Sequence, residues 1–192
     1  QGMNNEEVYG SNLMTVSAEE LLDCGAIIPP TVNVHTIESV RTKEEVAEHD
    51  SETVLRVLDA DNAERVLVSA PSARIINAMM MFTDLYRDLR SRDYNVMTIT
   101  SKHGAIINGK KTTRTKFFER LDQFSNSGEK FVLFHYSILS EGINVSGLTN
   151  VVLLRNLSTV EMAQTIGRVI RLDSVDRQKV SDGTLKPRAY HN

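Results

Sequence analysis

A chain of 192 residues, 41% hydrophobic and 24% charged, has the composition of an ordinary globular protein, with room for one full domain plus an appendage. Its formal charge of −3 excludes a global pull toward nucleic acid, so any such binding must come from a local patch. The single cysteine, Cys24, leaves no internal disulfide, and the histidines at 35, 49, 103, 135 and 191 lack ligand spacing. These features exclude a disulfide scaffold, argue against a metal centre and suit a reducing cytoplasm. No apolar run reaches the span of a bilayer and no cleavable signal pattern opens the chain, so no membrane partner is expected.

Residues 1–60 read as a lead-in segment with short helices. Ser17-Ala18-Glu19-Glu20 is a capping-box signature that opens a short helix, and Gly25 can close it. Pro29-Pro30 forces extended chain before the alternating strand TVNVHTI, 31–37. From Thr42 to about Ala60, charged residues mixed with Val46, Val54, Leu55 and Leu58 predict a surface helix.

The rhythm changes after Asp61. RVLVSA (65–70) predicts a strand broken by Pro71-Ser72, and Ile75, Ile76, Met79, Phe82, Tyr86 and Leu89 recur at helical spacing. VMTIT (96–100) predicts a second strand, FVLFH (131–135) a third and VVLLR (151–155) a fourth. Phe117, Leu121 and Phe124 mark a helix between the second and third, and Ser158 opens a last one. Nearly all-apolar strands alternating with amphipathic helices predict a parallel sheet covered on both faces, with ligands gathering at the carboxyl ends of its strands. This domain is expected over 61–173, with a polar, loop-like tail over 174–192.

HGAIINGKKTT (103–113) has glycines and a lysine between a strand and a helix, as a phosphate loop would. The pattern G-x-x-x-x-G-K must continue with Ser or Thr to reach Mg²⁺, and here Lys111 stands in that place. An ammonium cannot ligate a cation, so the stretch reads instead as a basic, flexible insertion. Its Lys102, Lys110, Lys111 and Arg114 either touch a nucleic-acid backbone or are simply solvated.

The helix STVEMAQTIGRVIRLD (158–173) carries the most information. Ser158 and Glu161 form a capping box. At 100° per residue Met162, Ile166 and Val169 share one face, while Gln164, Arg168 and Arg171 gather on the other. A solvated face is the plain reading of such a stripe. Gly167, however, costs about 1 kcal/mol in a helix interior relative to alanine. It makes sense where something approaches the backbone closely, and two guanidinium forks one turn apart suit a polyphosphate.

Gln164-Thr165-Ile166-Gly167-Arg168-Val169-Ile170-Arg171 resembles motif VI, Q-x-x-G-R-x-x-R, of superfamily 2 helicases. Ser140-Glu141-Gly142-Ile143-Asn144-Val145-Ser146-Gly147 resembles their motif V, with the VVLL strand in the expected place between the two. The resemblance covers about 60–173 and implies the RecA-like fold of the helicase C-terminal motor domain. More weakly, residues 8–37 resemble the segment joining the two motor domains in DEAD/DEAH-type and restriction-subunit helicases. No D-E-x-H or D-E-x-D box occurs in the 192 residues.

The resemblance implies an ATP site shared with an N-terminal RecA-like domain, which would hold most of ATP and Mg²⁺; this chain alone is expected to be inactive. Arg168 and Arg171 are expected at the γ-phosphate, with Arg171 as the arginine finger, and Gln164 as the holder of the motif's geometry. Gly142 and Asn144 would also line the ATP site, Asn144 standing where many members have the aspartate that meets the ribose. Ser69 and Ser72, by a loose match to motif IV, together with Ser137 and Ser140, would contact the nucleic-acid backbone, DNA being favoured over RNA. Tyr136 stands where a threonine commonly makes that contact. Two alternatives are the motor of a type I or III restriction enzyme and a helicase-like nucleic-acid-binding module that does not hydrolyse ATP.

Overall fold

The computed structural model describes residues 42–61, 63–136, 145, 147–155 and 174–184. The expected short helix at Ser17–Glu20, the strand 31–37 and the helix 158–173 lie outside them. Helix α1 spans Lys43–Asp61. The Thr42 hydroxyl accepts from the Glu45 N–H at 3.1 Å, and the Thr42 N–H donates to Glu45 Oε2 at 2.9 Å. Two N-terminal donors are thereby satisfied by one reciprocal box. Strand β1 (Arg65–Ser69) leads through Pro71 into α2 (Ala73–Phe82), where Ser72 Oγ accepts from the Ile75 N–H at 3.2 Å. A short α3 (Leu85–Ser91) precedes β2 (Asn95–Thr100).

β3 (Gly104–Ile107) and β4 (Lys110–Thr112) follow, then α4 (Arg114–Ser127), β5 (Phe131–His135), β6 (Asn150–Leu153) and α5 (Ser174–Ser181). The Thr113 side chain caps the start of α4, and Gly128 ends it at φ 71°, a left-handed cap open to a residue without Cβ. The six strands form one sheet in the order β4-β3-β2-β5-β1-β6. β2, β5, β1 and β6 run parallel, as their unbroken apolar character predicts, and β3 and β4 add an antiparallel edge. The sheet is therefore mixed around a parallel core.

Alternation along the strands divides the interior into two cores. Val66 and Val68, with Val132 and Phe134, face the buried sides of α1, α2 and α3. Leu67, Met97, Phe131 and Leu133 point the other way, onto Phe117, Leu121 and Phe124 of α4. Full burial of each such side chain is worth about 1.5–3 kcal/mol. Helix α1 contributes fully buried Val54 with Ala47 and Leu58 to the first core.

The structure corrects two expectations. HGAIINGKKTT is a β-hairpin joined to the sheet, in place of a flexible insertion. Its turn is Asn108-Gly109, with φ of 48° and 77°, the pairing of residues that suits a two-residue hairpin turn. The Asn108 carboxamide pins that turn, accepting from the Val96 N–H at 2.9 Å and from Arg90 Nη1 at 3.1 Å while donating to Asn95 Oδ1 at 2.9 Å. The first part of the polar tail, Ser174–Ser181, also forms a helix, α5. Its end is closed by Gly183 at φ 71° and by Thr184, whose N–H and hydroxyl both donate to the Lys179 carbonyl.

Candidate functional site

Three parallel strands end side by side. Ser69 closes β1 in register with His135 of β5 and Leu153 of β6. The Ala70 N–H donates to the His135 carbonyl at 3.0 Å, and the Leu154 N–H to the Ser69 carbonyl at 2.9 Å, so the ladder is complete up to this edge. Just past β6, Arg155 turns across the edge. Its Nε donates to Ser69 Oγ at 3.3 Å, and its guanidinium lies 5.6 Å from the centre of the Tyr136 ring. A half-buried cation is thus seated between a hydroxyl and an aromatic face. His135, the last residue of β5, is 2% exposed.

This arrangement can hold a fixed positive charge at the mouth of the sheet. A guanidinium stays ionised at any physiological pH and offers five donors in a planar fork, and a ring face beneath it adds attraction of about 0.5–2 kcal/mol. Such a group suits phosphate oxygens.

Of the expected site residues, Ser69 and Ser72 lie within the described structure, and the strand end brings them three residues apart onto one edge. Ser69 is 1% exposed, its hydroxyl already accepting from Arg155. Ser72 is half-buried and serves as the N-cap of α2. Ser137, Ser140, Gly142, Asn144, Gln164, Arg168 and Arg171 lie outside the described residues. Sequence reasoning missed Arg155. The available signal was a charge placed directly after an all-apolar strand. It noted Tyr136 only as a departure from threonine, whereas the ring has a partner in Arg155.

The clearest electrostatic departure belongs to α1. Burial raises the Asp50 carboxyl from 3.8 to about 6, with His49, whose Nδ1 is 3.8 Å from Asp50 Oδ1, opposing the shift. Burial likewise pushes the Tyr94 phenol upward; its hydroxyl donates to the Ala63 carbonyl. Among the described residues no cluster of His, Cys, Asp and Glu could hold a metal ion, and no helix is long and apolar enough to cross a membrane.

A parallel core with helices on both faces, and charged and hydroxyl groups at its carboxyl edge, defines an α/β domain of RecA-like type. The family model of the helicase conserved C-terminal domain matches residues 50–173. The chain belongs to that family, and the superfamily 2 resemblance of its motif V and motif VI stretches falls inside the matched span.

Among solved structures it is similar to the C-terminal part of the Fun30 ATPase domain, at 15% identity over 69% of this chain and 39% of that one, with a TM-score of 0.47. It is also similar to the Pyrococcus furiosus Hef helicase domain, at 14% identity over 73% of this chain and 29% of that one, TM-score 0.40. The chain thus spans well under half the length of either. No curated protein matches it.

Proposed function

We propose that this domain is the second lobe of an ATP-driven helicase or translocase, working against a phosphate-binding RecA-like lobe. The observation that carries the reading is the family match over 50–173, which takes in both the glycine loop at Gly142 and the stretch Gln164–Arg171. ATP would supply the driving reaction, transfer of its γ-phosphoryl group to water. This chain's part is electrostatic. Arg168 and Arg171 bring positive charge to the phosphoryl oxygens as charge spreads over them, and Gln164 holds their spacing. Gly142 allows close backbone approach and Asn144 offers an uncharged amide to the ribose.

The donor set suits a polyphosphate: guanidinium forks, an amide and a glycine backbone. It has no acidic box for Mg²⁺, so the metal falls to the companion lobe. Ser137 and Ser140 would meet the strand backbone, DNA ahead of RNA. Ser69 reaches the strand through the Arg155 guanidinium that it helps to seat. Backbone contacts of this kind grip any sequence, as a translocating motor requires. The expected setting is a reducing cytoplasm.

The test is reconstitution. The domain joined to a phosphate-binding lobe should hydrolyse ATP faster when single-stranded nucleic acid is added, and neither lobe alone should do so. Strand binding with no turnover in the joined protein would replace this reading with that of a non-hydrolysing binding module.

A further inference from the structure

The sheet continues past the helices on one side. The first core takes side chains from β6, β1, β5 and β2 but none from β3 or β4. Where that cover stops, a groove of about 180 Å³ runs along β2 between α2 and the hairpin. One wall is α2, presenting Ile76, Asn77 and Met80 at helical spacing; the floor is Val96 and Thr98, and Ile106 of β3 closes the far side. Tyr86 seals the lower end against Gly109, where an added Cβ would lie 3.2 Å from the Tyr86 hydroxyl.

The upper end opens at the carboxyl edge. Ala73, the residue after Ser72, and His103, just past β2, line it there.

We propose that this groove receives one unstacked base of a single-stranded nucleic acid. The inference rests on the strand-binding reading above and adds a site to it. Size agrees: a cavity of about 150 Å³ holds a benzene ring. Chemistry agrees too, because the lining is mostly apolar while Asn77, Thr98 and His103 supply an amide, a hydroxyl and an imidazole for a base edge.

Charge selects nucleic acid over an apolar peptide. Residues 94–118 carry Lys102, Lys110, Lys111, Arg114 and Lys116 and no carboxylate, in a chain whose net charge is −3. All five cations are exposed; Lys111, in register with Ile106, stands on the groove's side of the hairpin and Lys102 directly precedes His103, while Lys110, paired with Ile107, and α4 lie on the opposite side. A phosphodiester backbone needs cations such as Lys102 and Lys111 beside a base pocket.

The test compares a fluorescent dT 12-mer with an abasic 12-mer carrying the same phosphates, each titrated against the chain by anisotropy at fixed salt. The base-bearing strand should bind at least about fivefold more tightly. Asn77→Phe, an exposed position whose new ring fills the groove, should bring the two affinities together without weakening the abasic strand. Met80→Ala, which widens the groove, should narrow the gap in the same direction. Equal affinities in the unaltered chain, or a gap that both variants leave unchanged, overturn the base pocket. An apolar peptide that binds and is blocked by Asn77→Phe, with the two strands equal, would assign the groove to a protein partner. Failure to bind either strand removes this proposal together with the strand contacts, and leaves the ATP reading to its own turnover assay.

Discussion

The parallel core and the hairpin edge belong to one sheet but are held in different ways. The central strands β1 and β5 are buried on both faces, with Phe131, Phe134 and Leu67 almost wholly removed from water. On the hairpin, Ala105 and Ile107 pack toward α4, while the opposite face, with Ile106, is left to the groove. Packing fixes the core. Turn chemistry fixes the edge, through two residues at positive φ and one asparagine side chain. A domain built this way can vary its edge without disturbing the strand ends that carry the site.

Core truncation should show the largest contrast. Phe134→Ala is expected to cost about 3–5 kcal/mol, whereas Ile106→Ala on the half-exposed hairpin should cost less than about 1.5 kcal/mol. Urea unfolding of both variants measures the difference, and equal losses would break the distinction between core and edge.

Asp50 comes next. Its carboxyl, raised by burial, is neutral in the folded protein below about pH 6 and charged at a cost above it. Because its folded value is raised, its share of stability is fully present below the unfolded value of 3.8 and is lost as pH rises through about 6. Asp50→Asn should therefore be worth up to about 3 kcal/mol at pH 8 and little at pH 4. Stability curves across that range test the sign.

A smaller effect is expected at the turn. Gly109→Ala combines a φ of 77° with a Cβ placed 3.2 Å from the Tyr86 hydroxyl, and should cost about 1–2 kcal/mol. Gly104→Ala, at φ 74° with nothing within 4 Å, should cost less, since only the backbone term remains. Pairing Gly109→Ala with Tyr86→Phe should recover part of the loss, because the hydroxyl is the atom in the way. Thr42→Ala, which opens the reciprocal box of α1, should cost about 1 kcal/mol and leave both sides of the comparison intact.

What could be read from the chain follows from the same physics. RVLVS, VMTIT, FVLFH and the VVLL stretch are nearly all apolar, and each lies where the sequence places a strand, because an unbroken apolar run leaves no alternation to misread. The hairpin went unseen because KKT is polar and GAII short; Asn108-Gly109 was the one available signal. Helix α5, between Ser174 and Ser181, has little apolar surface to announce it. At the site, Ser72 is legible as an N-cap from its place after a proline. The seating of Arg155 on Ser69 and Tyr136 is a long-range contact across 86 residues in the first case, and no local pattern encodes that.

The central claim is that this lobe delivers a cation to a phosphoryl group held elsewhere. Steady-state ATP turnover on saturating single strand, with the joined two-lobe protein and its Arg171→Lys form, measures it most directly. The account predicts that kcat falls at least about a hundredfold while KM for ATP shifts only a few-fold, since a lysine keeps the charge but loses the fork. A variant that turns over at the unaltered rate would contradict it.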